Sequence, residues 1–372
     1  MTKLEINNDP KQVKALTDLI KLVAKSGPEG LKAREAVANF VGPVITQVLQ
    51  QEATHRAFYK KYNYTFGGAP TIPLDLFDGN EEGLFDVWSA SVPGGLATNH
   101  ISGGEEFRMT TFTYDSAFSL FKKNAEDGRF DILVKGLERM SQELMLKEKY
   151  QAWTTMLMGL GAARTNGSPH VIDATTENVF QFADVNKLKT KVARFRNSWA
   201  DGTSTETVGS GFTHLVVSPE IMEQVRSFAY EPANTRAGSL DTNGATAIPL
   251  PEQIRMSIFD NAGLADVPGI GRFVQLKEMG VGQSYNSVFD AGYTAGGGEP
   301  DFDSAVDEVI LAVDLTVDAG AQLVATDSDR TSEIKVEDDD QFTKREGKVG
   351  WYAQLETGFA WLDTKTLSGI IV

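Results

Sequence analysis

The chain has 372 residues, no cysteine and four histidines, and its 35 basic against 51 acidic residues leave a formal charge of −16. That length suggests two or three domains, and the missing cysteine excludes a disulfide framework, a thiolate zinc site and a cysteine nucleophile. The acidic balance argues against broad, sequence-independent gripping of nucleic acid, no apolar run approaches the roughly 18 residues of a membrane span, and the start MTKLEINNDPK lacks the apolar core of a secretory signal.

The first 60 residues read as helix. Val13, Leu16, Ile20 and Val23 recur at helical spacing, and Lys25-Ser26-Gly27-Pro28 is stop chemistry. Val37, Phe40, Val41, Val44, Ile45 and Val48 fit an amphipathic helix, with Pro43 placed to kink it or open a new first turn. Two readings stay open for this stripe: a helix in the chain's own core, or an arm laid on a neighbouring subunit.

From Tyr62 to Asp115 the period changes to two. Phe85–Val92 and Phe107–Tyr114 are strand-like, rich in aromatic residues, valine and threonine, and a glycine-rich connection of about 14 residues joins them. A two-stranded ribbon is marginal in water alone, so it rests on its own domain or reaches another chain. Next, Phe130 to Met158 reads as one long helix of ~43 Å at 1.5 Å per residue. Phe130, Leu133, Val134, Leu137, Met140 and Leu144 mark its apolar stripe, and Arg139, Glu143, Lys147, Glu148 and Lys149 fill the other face.

The stretch 169–340 reads as alternating helix and strand without a regular βαβ cadence. Thr213–Val217 is a buried strand, followed by Ser218 as N-cap, Pro219 at the first helical position and Glu220 in the first turn. Further strands are expected at Ile254–Phe259, Arg272–Leu276 and Val309–Val317. The last segment reads as a strand over Lys348–Thr357, a break at Gly358, a second strand and an apolar end, Ile370-Ile371-Val372, which should be pinned in a sheet.

Catalytic signatures are missing. There is no GxxxxGK[ST] loop, complete GxGxxG, HExxH or GxSxG in the sequence. His55, His100, His170 and His214 lie apart with no ligand spacing. Asp327, Asp329, Thr331 and Glu333 alternate as in a calcium loop, but Ser332 replaces the glycine of the sixth place and Asp338 the glutamate of the twelfth. Glu337-Asp338-Asp339-Asp340 reads as a solvated charge block. No catalytic residue, cofactor or metal site is therefore assigned.

The order of elements resembles the major capsid protein of tailed bacteriophages, with the Hong Kong ninety-seven capsid fold that encapsulin shells share. The closing segment Gly350-Trp351-Tyr352-Ala353-Gln354-Leu355-Glu356-Thr357-Gly358-Phe359-Ala360-Trp361-Leu362-Asp363 looks like that family's final peripheral strands, and Ser218-Pro219-Glu220-Ile221 is similar to its strand-then-helix step. The resemblance implies an α+β chain: an N-terminal helical arm (1–63), an extended β-ribbon loop with adjoining peripheral-domain strands (64–125), a spine helix of the peripheral domain (126–168), an axial domain (169–340) and return strands of the peripheral domain (341–372). It implies a structural subunit, not an enzyme, that self-assembles into pentamers and hexamers of an icosahedral phage head around double-stranded DNA without sequence-specific contacts. Scaffolding, portal and decoration proteins are further expected partners, with assembly in the host cytoplasm and residence in the virion. Inter-subunit contacts are expected at Phe40, Val44, Val48, Phe85, Trp88, Phe107 and Phe112, with Leu137 and Leu144 of the spine adding burial. The ribbon tip 93–106 lacks lysine, so the lysine-to-asparagine cross-link of some members is not expected, and neither is a removed leading segment. The alternatives are an encapsulin-like nanocompartment shell and, from another class, an α+β hydrolase with an unrecognised carboxylate site.

Overall fold

A computed structural model describes residues 10–25, 27–39, 54–65, 70–73, 106–165, 167–193, 211–227, 266–267, 271–296, 299–316, 319–326, 333–339 and 347–372. In chain order its elements are helices α1 (Pro10–Val23) and α2 (28–39), a 3-10 turn (Thr54–Phe58), and strands β1 (Lys60–Thr65), β2 (Thr71–Pro73), β3 (Glu106–Arg108) and β4 (Phe112–Phe121). Helices α3 (Lys122–Glu126) and α4 (Phe130–Ala162), strands β5 (Arg164–Thr165), β6 (Ser168–Pro169) and β7 (Val171–Asp173), and α5 (Phe182–Val192) follow. Then come β8 (His214–Val217), α6 (Pro219–Ser227), β9 (Asp266–Val267), β10 (Gly271–Gln275) and α7 (Ser284–Gly292). The chain closes with β11 (Val309–Val313), β12 (Gly320–Thr326), β13 (Ile334–Asp339), β14 (Lys348–Trp361), a 3-10 turn (Thr364–Thr366) and β15 (Leu367–Ile371).

These elements form two compact units, each assembled from separated stretches of chain. The first takes residues 1–72, 108–152 and 321–360. Its five-stranded sheet centres on β14, which pairs antiparallel with β4 along one side, from Lys348 opposite Phe121 to Thr357 opposite Phe112. On the other side β14 meets β13 antiparallel and β12, and β1 lies parallel on β12. The period of two sends Val349, Trp351, Ala353 and Leu355 to one buried face. Trp351 stacks on Phe118 with ring centroids 5.1 Å apart, and its indole N–H donates to the Arg34 carbonyl at 3.3 Å.

Helices α1 and α2 close over this core. Ile20, Val23, Ala33, Val37 and Ala38 join Leu133, Met140, Leu144 and Trp351 in one buried cluster. Val37, the described member of the Val37–Val48 stripe, is buried in its own unit, where the sheet face beneath supplies the burial. The stop between the helices is also as expected: Gly27 takes φ +125°, a region open to glycine, and Pro28 begins α2. Phe40, Pro43, Val44 and Val48 lie outside the described residues.

Helix α4 has 33 residues, ~50 Å at 1.5 Å per residue. Its buried positions include Met140, Leu144, Glu148, Ala152, Met156 and Leu160, a strict four-residue row. Four residues turn about 400°, so such a row creeps about 40° round the axis at each step. The buried face winds, which explains why no single stripe fits the whole helix. Glu148, expected on the polar face, is fully buried as a result.

The second unit takes residues 73–107, 153–320 and 361–372. Its six-stranded sheet runs β7-β15-β11-β8-β10-β9. Strands β11 and β15 pair antiparallel, Ile310 opposite Ile370, and every residue in both is buried. Continuous apolar runs of this kind belong to strands covered on both faces. Helices α5 and α6 pack Val185, Leu188, Ile221 and Val225 against Leu215, Phe273, Ile310 and Ile370. Strands β8 and β10 are parallel neighbours with α6 between them in sequence, a βαβ-like step within a stretch that reads as irregular. Ser218 caps α6 as expected, its hydroxyl oxygen accepting from the Ile221 N–H at 3.0 Å.

Three expectations are corrected. The acidic block is not solvated throughout: Glu337, Asp338 and Asp339 sit in β13, Glu337 stays exposed, and Asp338 forms a buried ion pair with Arg34 at 2.9 Å. Gly358 does not break the strand. Strand β14 runs through it because a side chain there would stand 2.6 Å from the Thr110 carbonyl oxygen, so glycine serves close backbone approach. The strand expected over 107–114 begins instead as β3, pauses at Met109–Thr111, and resumes as β4 through Phe121. Strands β12 and β13 stand in the first unit's sheet, and β15 stands in the second unit's.

Candidate assembly surfaces and a buried charge cluster

A connected polar constellation lies inside the first unit. The turn Thr54–Phe58 presents Arg56 to Glu148 of α4 as a fork: Nε donates to Oε1 at 2.9 Å and Nη2 to Oε2 at 3.0 Å. Nη1 of Arg56 donates to Glu333 Oε2 at 2.9 Å, and Lys61 of β1 pairs with the other oxygen of Glu333. Gln322 of β12 donates to Glu148 Oε1 at 2.7 Å. The His55 ring, also fully buried, has Nε2 at 3.5 Å from the same oxygen, long for a hydrogen bond but close for a charge contact. Tyr59 donates its hydroxyl to the Ala152 carbonyl at 2.6 Å and meets Phe359 edge-on.

Burial alone would raise the Glu148 carboxyl; His55 and Arg56 outweigh it and hold it below the usual carboxylate range. Glu333 behaves the same way, with burial opposed by Arg56 and Lys61. Burial works against the Arg56 charge, yet its two carboxylates leave that guanidinium above its ordinary value. Every charge in the cluster is thus compensated, which is what permits it to be buried. The cluster ties residues 54–65 to the middle of α4 and to β12 and the turn before β13. Its chemistry is positional.

His170 and His214 are structural in the same sense, and His100 lies outside the described residues. His170 Nδ1 lies 3.0 Å from the carbonyls of both Thr364 and Leu367, and burial lowers its pKa. His214 Nδ1 meets the Thr213 hydroxyl at 2.9 Å. Among the described residues no group of three or more His, Asp or Glu is placed to hold a metal ion, and no helix is long and apolar enough to cross a membrane. Asp327 and Asp329 lie outside the described residues, and Glu333 is engaged by Arg56 and Lys61.

The expected contact residues fall as follows. Phe40, Val44, Val48, Phe85 and Trp88 lie outside the described residues. Phe107 is 41% exposed and Phe112 47%, so both present large apolar surface. Leu144 is buried in its own unit's core. Further exposed apolar side chains escape the sequence reading. Phe121, at the far end of β4, is 59% exposed with the Lys348 ammonium 5.5 Å from its ring centre. On α4, Leu146 (52%) and Tyr150 (48%) stand one turn apart on one face. Their signal was available in the sequence, as a leucine and a tyrosine four apart inside the charged run.

Comparison with known proteins gives structural likenesses only. No family model matches the chain and no curated protein matches it. Among solved structures, it is similar to the capsid of an empty GTA particle at 12% identity and TM-score 0.48, covering 86% of this chain and 89% of that one. It is similar to the capsid of cyanophage P-SCSP1u at 12% identity and TM-score 0.48, covering 84% and 86%. The mature capsid of bacteriophage PhiM1 aligns at 9% identity and TM-score 0.44, covering 86% of each chain.

Proposed function

We propose that this chain is the shell subunit of a tailed-phage head, assembling as pentamers and hexamers into an icosahedral container for double-stranded DNA. The observation that carries the reading is the distribution of exposed apolar side chains. Phe107, Phe112 and Phe121 lie on and beside β4, and Leu146 and Tyr150 lie on the outer face of α4. Such side chains find burial on neighbouring copies, each Å² of apolar area contributing about 25 cal/mol before association costs. Contacts of one patch on a different patch generate rings when the rotation closes, which suits five- and sixfold units.

The arm, ribbon, spine and axial roles follow the same reading. Residues 10–39 sit on their own unit, so the reach to a neighbour falls to residues 40–53 and to the ribbon 74–105. Phe40, Val44, Val48, Phe85 and Trp88 are the contacts proposed there. The acidic balance of −16 suits a lining that holds DNA without gripping it, since carboxylate repulsion of phosphates is felt over about 8–10 Å at physiological salt. Scaffolding, portal and decoration proteins belong to this proposal as partners.

Gel filtration with negative-stain microscopy tests it. A megadalton hollow particle is expected; a compact species of one or two chains would overturn the shell reading. Particles that copurify with an enzyme cargo in place of DNA would move it to the nanocompartment alternative.

A further inference from the structure

Strand β13 lies at an edge of the first unit's five-stranded sheet. Among the described residues it pairs only with β14, from Ile334 opposite Leu355 to Asp339 opposite Gly350, so its other side is open. An antiparallel edge of six residues turns about half of its N–H and C=O groups outward, a template for another strand. Arg34 of α2 holds the inner face through Asp338 at 2.9 Å. Between that helix and the strand lies a groove of about 470 Å³, lined by Leu31, Glu35 and Ala38 on one side and Val336 and Glu337 on the other. On the outer face Lys335 and Glu337 stand two positions apart at 36% and 53% side-chain exposure, paired with each other at 2.6 Å. Proteins commonly blunt an open edge with charge, lysine above all. The charges here are of both signs and sit symmetrically about Val336.

We propose that the open edge of β13 pairs antiparallel with the same edge of a second copy, about a twofold axis that passes between the two Val336 residues. Charge complementarity favours this register. Opposite residues of an antiparallel pair share a face, so a twofold pairing that keeps both faces continuous is centred on a residue. Centred on Val336, it sets Lys335 of each copy against Glu337 of the other. Centred on Lys335 or on Glu337, it brings like charges together at the axis, which is destabilising, and a centre nearer either end shortens the overlap. In the favoured register Glu333 falls opposite Asp339, but Glu333 is already countered by Arg56 and Lys61. The pairing joins two five-stranded sheets edge to edge, with Leu31, 42% exposed at the groove, beside the seam. An isologous contact of this kind does not build a five- or sixfold ring; it links one ring to the next. The inference deepens the shell reading and rests on it for its role.

Mixing two oppositely charged variants of the full chain tests it. Lys335→Glu leaves two acidic groups on this face and Glu337→Lys leaves two basic ones. Both side chains are exposed, so each variant should keep the wild-type urea midpoint. Each alone should give about tenfold fewer closed particles by negative-stain microscopy, with rings accumulating. An equal mixture of the two should restore particles. Mixing cannot repair the pair broken within each chain, so recovery reports a contact between copies. The chain has no cysteine, so Val336→Cys places a single thiol at the axis and should yield a disulfide-linked dimer on mild oxidation of assembled particles. Normal particles from both single variants, a mixture as defective as its components, or no linked dimer in assembled particles would each overturn the pairing while the shell reading stands. A wild type that forms neither rings nor particles overturns the shell, and the Val336→Cys dimer then decides the pairing by itself.

Discussion

Arg56 grips Glu148 with two parallel hydrogen bonds across 92 residues of sequence, and the pair is buried at 12% and 0% side-chain exposure. The fork geometry matters because a guanidinium offers a carboxylate two aligned donors, which an ammonium cannot. It fastens the turn at Thr54–Phe58 to the long helix, in addition to the apolar packing of α1 and α2 on it.

Removing one partner should be severe. Arg56→Ala leaves Glu148 and Glu333 buried with fewer counter-charges, and loss of a buried partner costs about 3–5 kcal/mol. Urea unfolding of the wild type and variant measures this. Arg56→Lys should recover only part of the loss. A cost under about 1 kcal/mol for Arg56→Ala would show that the cluster does not hold the turn.

The same cluster sets an acid limit. Glu148 and Glu333 have folded-state values below their unfolded ones, so their stabilisation is full above about pH 4.5 and fades as pH falls through the lowered values. Stability measured by chemical denaturation should fall with acid in that window. The difference between wild type and Glu333→Gln should shrink over the same range, and a pH-independent difference would contradict the sign.

Gly358 should not tolerate a methyl group. A Cβ there would lie 2.6 Å from the Thr110 carbonyl oxygen, a backbone atom that cannot swing aside. Gly358→Ala should cost about 1–3 kcal/mol through forced backbone shift. Faster amide exchange at the β4–β14 junction, around Phe112 and Thr357, should accompany it.

Assembly and folding should separate on the exposed faces. Leu146→Glu, Tyr150→Glu and Phe121→Asp change exposed side chains, so monomer stability should move by only about 0.5 kcal/mol. Particle formation, followed by light scattering, should drop for the variants that lie in an interface. Normal particles from all three would remove α4 and β4 from the contact set.

Local chemistry was legible directly from residue order. The Ser218-Pro219 start of α6, the Gly27-Pro28 joint, the long helix from Phe130 and the apolar strand at Leu367–Ile371 all follow from neighbours within a few positions, because caps, turns and apolar runs act over that range. Phe107 and Phe112 were legible as members of a strand-like run rich in aromatic residues, and their exposure came only with the tertiary structure. What only the tertiary structure decided depends on partners far along the chain. Asp338 reads as solvated charge until Arg34 is brought to 2.9 Å, and Glu148 reads as helix surface until Arg56 and Gln322 surround it. Gly358 reads as a break until Thr110 is seen pressed against it. Charge burial and close backbone contact are properties of pairs, and no single stretch of sequence contains both members.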